Sequence, residues 1–271
     1  MIRSIFTVVD GANKSRKYLI TLSEMIQRLG VHLHVEVLTP APMISPHLAP
    51  IGTLYEPGFA LQADAKSAEL AVQTIFANQK DRVRVEGIYD DVAFLPGDLK
   101  RVRALADLNI VGASASWEVP WLRNHVIEAL VYNSGTPVLL MPAKPVLRAL
   151  DHIVIGWKPT AETIRALHDV VAMADKGAVV DVVSISSAKT VGNDDAAGIV
   201  VHLQRHGFLT KRCWLKSRGD DAKQLQNYAI RSKASMLVVG AYGHSRFREL
   251  ILGGVTRSFI REVRIPTLLG R

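Results

Sequence analysis

A chain of 271 residues, 48% of them hydrophobic and 21% charged, can bury a sizeable core and has room for two domains, which excludes a disordered or fibrous polypeptide. Its one cysteine, Cys213, excludes an intramolecular disulfide and fits a reducing cytoplasm. The formal charge of +8 admits nucleic acid as a partner, but the basic residues are scattered, with no run of five and no nucleic-acid motif, so a small anion ranks above it.

The opening Met1-Ile-Arg-Ser-Ile-Phe-Thr-Val-Val-Asp10 lacks the apolar core and cleavage site of a signal peptide. Every longer apolar run is interrupted by Pro, Gly or charge, so no membrane span and a cytoplasmic location are expected. Ser4–Asp10 reads as a strand ending in an acid, Asn13–Leu29 as a helix and His32–Leu38 as a second strand. Thr39–Gly58 carries five prolines and no period, so it reads as a solvated loop clamped by proline, with a lid or partner surface as the other reading. Leu108–Gly112 is a further strand, and Gly135-Thr-Pro-Val-Leu-Leu-Met-Pro142 ends the first half. Ala143–Arg148, with prolines at 142 and 145, is the expected linker.

The second half repeats the design. His152–Lys158 parallels Ser4–Asp10, Thr160–Ala174 follows as a helix, and Ala178–Ser184 as a strand. Asp194–Arg205 reads as a helix, Cys213 falls on a strand, and Gly219-Asp220 reads as a turn with an N-cap. Met236–Gly240 matches Leu108–Gly112, and Arg264-Ile-Pro-Thr-Leu-Leu-Gly270 matches the ending of the first half. A duplicated β-α-β-α pattern predicts an α/β fold, with parallel sheets covered by helices on both faces, in domains 1–142 and 151–271. The last strands, Val138–Met141 and Thr267–Leu269, are too apolar for exposed edges and are expected to pair with each other.

The stretch richest in information runs from Val239 to Thr256. Gly240 stands at a strand exit, Gly243 three residues later, and Gly253-Gly254-Val255-Thr256 lead into a short amphipathic helix read over Thr256–Val263. Glycines let backbone amides approach an anion closely, and a helix N-terminus favours negative charge, so a nucleotide phosphate suits this order of elements. Thr256 can add a hydroxyl donor. A glycine-eased turn without ligand is the competing reading.

The spacing resembles the G-x2-G-x9-G-[S/T] signature of ATP-binding universal stress proteins, with Gly240, Gly243 and Gly253 on its glycines. Gly254 departs from it, standing where that family has Ser or Thr. The resemblance covers nearly the whole chain and implies two tandem five-stranded α/β domains, joined through their last strands. It also implies ATP or another adenine nucleotide, with or without Mg, as the ligand, and a role in a stress response. Ile185 and Val239 would then line the adenine slot, though both are equally explained as core. His244 could contact a phosphate. Lys158 stands where the first half has Asp10, behind Gly156 and Trp157. The tryptophan could stack on a base or pack, and the lysine could bind phosphate or a hydroxyl.

In the first half only Gly112 survives of the glycine pattern. Trp117, Pro120 and Trp121 are expected to fill the phosphate's place and Glu118 to repel an anion, so that loop reads as non-binding. His202 and His206 lie four apart on a helix, which permits metal binding but more often marks a solvated face, so no metal site is assigned. No nucleophile elbow, HExxH, CxxC or Walker lysine is present, so no catalytic residue is assigned either. The expected function is ligand-responsive binding without turnover. A non-binding interaction scaffold and a slow ATP hydrolase are the alternatives, and a homodimer beyond the internal pairing stays open.

Overall fold

Short runs rich in valine and isoleucine become strands buried on both faces, and the amphipathic segments between them become the covering helices. The computed structural model describes residues 2–40, 57–90, 105–144, 149–186, 195–241 and 254–270. They cluster into two units, Arg3–Ser134 and a second one made of Gly135 onward together with Ile2. Among these residues no helix is long and apolar enough to cross a membrane.

In the first unit β1 (Ser4–Val9), α1 (Arg16–Leu29), β2 (His32–Pro40), α2 (Pro57–Ile75), β3 (Val83–Asp90), β4 (Leu108–Val111) and α3 (Pro120–Asn133) follow in order. The strands lie as β3-β2-β1-β4, every pairing parallel. Helix α1 turns Tyr18, Leu19, Leu22, Met25 and Ile26 inward, the spacing of a single helical face. It stops at Gly30, whose φ of 65° gives a left-handed cap with its N–H donated to Ile26 O at 2.8 Å. Helix α2 already begins at Pro57, within the segment expected as loop, because proline is compatible with a first helical turn. The rest of that loop, 41–56, lies outside the described residues.

The second unit contains β5 (Val138–Leu140), β6 (His152–Gly156), α4 (Ala161–Met173), β7 (Val179–Ser186), α5 (Asp195–Arg205), β8 (Leu209–Lys216), α6 (Asp221–Arg231), β9 (Met236–Gly240), α7 (Gly254–Arg261) and β10 (Thr267–Gly270). Its strand order is β5-β10-β9-β6-β7-β8. All pairings are parallel except β5 with β10, which run antiparallel with Leu140 opposite Thr267 and Val138 opposite Leu269. The two apolar endings of the sequence repeat therefore do pair, and Val138, Leu140, Leu268 and Leu269 are all buried. The fold is α/β with a mostly parallel sheet, as the duplicated pattern predicts.

Local signals start the helices. The Thr160 hydroxyl accepts from Thr163 N at 3.4 Å ahead of α4, whose first turn carries Glu162 where the helix dipole favours an acid. Asp220 accepts from Lys223 N at 2.9 Å ahead of α6, after Gly219 turns the chain at φ 98°.

Candidate site at the carboxyl ends of β6 and β9

In the second unit the chain leaves β6 toward β7 and β8 on one side, then returns to β9 on the other. The reversal falls between β6 and β9, where ligands of open α/β sheets collect beyond the carboxyl ends of the strands. The register sets Gly156 beside Val239 across those two strands, and Gly156 beside Val183 on the other side. The two expected binding segments, Gly156–Lys158 and Val239–Gly240, thus leave the sheet together at its switch point.

Trp157 is half-buried, its N–H donated to Val183 O at 2.7 Å, which ties it to β7. Lys158 is exposed, and its carbonyl accepts from Thr160 N at 2.7 Å at the entry to α4. Ile185 is half-buried two residues beyond Val183, and Val239 is buried. Tyr242 to Leu252, with Gly243 and His244, and Gly253 lie outside the described residues. Helix α7 starts at Gly254, two residues earlier than the sequence suggests, so Gly254, Val255 and Thr256 form its first turn.

Packing also constrains the strand-exit glycines. A β-carbon on Gly240 would lie 2.5 Å from Thr163 Oγ1, 2.7 Å from Thr163 N and 3.1 Å from the Glu162 carbonyl carbon, so the first turn of α4 rests directly on it. A β-carbon on Gly156 would meet Leu225 Cδ1 of α6 at 2.9 Å and Val239 Cγ1 at 3.2 Å. Neighbouring residues of a strand face opposite sides. Gly240 therefore serves the α4 face, while Val239 and Gly156 serve the α6 face.

The corresponding switch point of the first unit lies between β1 and β4, and there the chain occupies the space itself. The Asp10 carboxylate accepts the backbone N–H groups of Glu118 at 3.0 Å and Val119 at 2.7 Å, just ahead of α3. Two backbone donors that could meet an external anion are bound by a carboxylate of the chain. Burial raises the Asp10 pKa, opposed by those same two hydrogen bonds. Glu118 turns to Lys14, at 3.4 Å.

Trp117 is only 1% exposed, as expected of a ring filling the loop, but Trp121 is 47% exposed and meets His125 edge-on at 5.5 Å. Trp121 lies in the first turn of α3 but on its outward face. Arg123 takes the inward position, fully buried, with Nε donating to Gly112 O at 2.7 Å, and burial lowers its pKa to about 10.

A polar chain not anticipated from the sequence crosses the second unit. Asp181, 3% exposed on β7, accepts at Oδ2 from the Tyr228 hydroxyl of α6 at 3.1 Å and lies 3.1 Å from His152 Nε2 on β6. Cys213 Sγ on β8 lies 2.8 Å from the Tyr228 hydroxyl. Since that hydroxyl donates to Asp181, the thiol is placed to donate to it. Burial, with Cys213 and Asp181 beside it, pushes the Tyr228 pKa above its ordinary value. The visible signal was a carboxylate inside Val-Val-Asp-Val-Val, a residue that a buried strand admits only with partners.

The histidines on α5 are not simply a solvated face. His202 sits edge-on between His206, at 4.7 Å between ring centroids, and His168 of α4, at 5.7 Å. Burial, then His206, His168 and Arg205, lower the His202 pKa. Among the described residues no three His, Cys, Asp or Glu side chains are grouped to hold a metal ion.

Residues 213–271 match the model of the universal stress protein family. Among solved structures the fold is similar to a universal stress protein from Archaeoglobus fulgidus, at 14% identity and a TM-score of 0.62, covering 99% of this chain and 96% of that one. A putative universal stress protein from Pseudomonas aeruginosa has 14% identity and a TM-score of 0.58, covering 99% of this chain and 92% of that one. A functionally unknown protein from Pseudomonas aeruginosa gives the same values. No curated protein matches the sequence.

Proposed function

We propose that this chain, whose residues 213–271 match the universal stress protein model and whose fold is similar to that of solved universal stress proteins, is a cytoplasmic stress-response protein of that family that binds an adenine nucleotide in its C-terminal domain, 151–271, and not in the N-terminal one, 1–142. The observation carrying this reading is the joint exit of Gly156–Lys158 and Val239–Gly240 at the switch point, ahead of a helix whose N-terminus begins at Gly254. The phosphates lie against Gly240, Gly243, His244 and Gly253–Thr256, with Lys158 exposed beside them. The base lies toward Ile185, Val239 and Trp157. Binding changes the state of the protein without turnover, because the loop has no P-loop lysine and Gly254 offers no hydroxyl to help hold a metal ion. In the first unit Asp10 already takes the amides of Glu118 and Val119.

A scaffold that binds no nucleotide is the second reading. It is favoured by one observation, that α4 and Leu225 alone account for Gly240 and Gly156. Mass spectrometry of ligand released from the purified, denatured protein separates the two. Calorimetry with ATP should then give binding that Gly243→Val abolishes, because a β-branched side chain fills the phosphate's place. No binding at millimolar ATP, or binding unchanged in Gly243→Val, refutes the nucleotide reading.

A further inference from the structure

A groove of about 500 Å³ opens in the second unit between the end of β8 and the outward face of α6, and none of its wall belongs to the proposed nucleotide site. Ala222, Leu225, Gln226 and Ala229 bury one face of α6. Lys223, Gln224, Asn227 and Arg231 repeat at helical spacing on the opposite face and line the groove. Lys216 and Arg218 close it from the β8–α6 connection, with Leu215 as an apolar floor.

Four cations therefore face one space, and among the described residues none of them is in an ion pair, whereas Lys14, Lys66, Arg82 and Arg84 each have a carboxylate partner. One acid, Asp220, also lines the groove, so the wall carries four cations against one carboxylate, and that carboxylate is engaged by a backbone amide. Asp220 caps α6 through Lys223 N, and Asp221 accepts from the Ser217 hydroxyl at 2.7 Å.

The walls are held before any ligand arrives. The Gln224 amide, oriented to satisfy both its groups, donates to Lys216 O at 3.1 Å and accepts from Arg218 N at 2.7 Å, clamping the connection to the helix. Arg231 Nε donates to Asn227 O at 3.2 Å, which fixes the stem of that side chain and leaves its terminal nitrogens. Arg264 reaches the same asparagine, Nη1 to Oδ1 at 2.9 Å, and extends the positive edge.

We propose that this groove binds a compact polyanion of the oligophosphate class. Guanidinium and ammonium groups converging on one space suit phosphate oxygens, which accept charge-assisted hydrogen bonds from several directions. The volume is that of a small-ligand site, not of a protein segment. No aromatic side chain lines it, so it has no platform on which the bases of a single strand could stack.

The test is calorimetric titration of the full chain with tripolyphosphate at near-physiological salt. Binding should weaken at least about tenfold in Lys223→Ala/Arg231→Ala. In Gly243→Val, which by the reading above removes the nucleotide's phosphate seat, about one equivalent should still bind, and binding should change less than about twofold in Arg16→Ala/Lys17→Ala, which removes the same charge from the first unit. Equal weakening by the Arg16/Lys17 pair would reduce the effect to net charge and overturn the proposal. So would loss of binding in Gly243→Val, which would put the anion in the glycine loop. Absence of tripolyphosphate binding at millimolar concentration, or tighter competition by a single-stranded RNA oligonucleotide, would also overturn it.

Discussion

Replacing Gly240 with alanine separates packing from ligand approach at the strand exit. The new methyl would lie 2.7 Å from a backbone nitrogen of α4 and 3.1 Å from a backbone carbon, so escape requires the helix itself to shift by several tenths of an ångström. The Thr163 N–H that it strikes is the one held by the Thr160 cap, so the shift also strains the helix start. Gly240 is not among the glycines of positive φ, so the backbone conformation adds no strain of its own. Overpacking of this kind costs about 1–3 kcal/mol. For a unit of this size that is a fall of roughly 3–10 °C in melting temperature.

Gly198 supplies the opposite sign for the same chemical change. It lies within α5, its β-carbon would meet nothing within 4 Å, and Gly198→Ala should stabilise by up to about 1 kcal/mol. Urea unfolding of ligand-free protein, followed by tryptophan fluorescence, reads both variants, since Trp157 and Trp214 both report from this unit. A neutral or stabilising Gly240→Ala would refute the packing account and leave close approach of a ligand as the reason for that glycine.

Two further outcomes are expected. Asp10→Ala frees two backbone amides at a cost of about 2–3 kcal/mol, so amide exchange over 114–124 should rise by roughly ten- to a hundredfold, and unchanged protection there would remove the claim that Asp10 fills the first unit's anion seat. His202 has a lowered folded pKa, so the unfolded chain takes up its proton first and stability falls as pH drops below the ordinary histidine value of about 6.5. His202→Gln should flatten urea midpoints measured between about pH 7 and pH 5, and a slope unchanged in that variant would assign the acid sensitivity to other groups.

Much of this molecule is readable from residue order because its signals are local. The period of β-branched residues gives the strands, Gly219-Asp220 and Thr160 announce helix starts, and the repeated Pro-Val-Leu-Leu and Pro-Thr-Leu-Leu endings give the β5–β10 pair. What was not readable depends on which residues distant strands bring side by side. A glycine after a strand looks the same whether a phosphate or a helix lies against it, and only the position of Thr163 gives Gly240 a packing role. Asp10 reads in sequence only as an acid ending a strand, and its service to Glu118 and Val119 emerges from the pairing of β1 with β4. Arg123, to which the sequence assigned no role, takes the inward place expected of Trp121 because the phase of α3, begun at Pro120, turns the arginine inward.

The antiparallel match of Leu140 with Thr267 has a consequence for synthesis on the ribosome. At about 5–20 residues per second, the apolar β5 segment emerges on the order of ten seconds before its partner exists. During that interval it is a bare strand free to pair with nascent chains nearby. Pro137 and Pro142 bracket β5, and Pro266 directly precedes β10. A proline offers no amide to extend a ladder and blunts an unpaired strand against intruders. The prolines that punctuate the repeat thus guard an unfinished sheet until β10 arrives to close it.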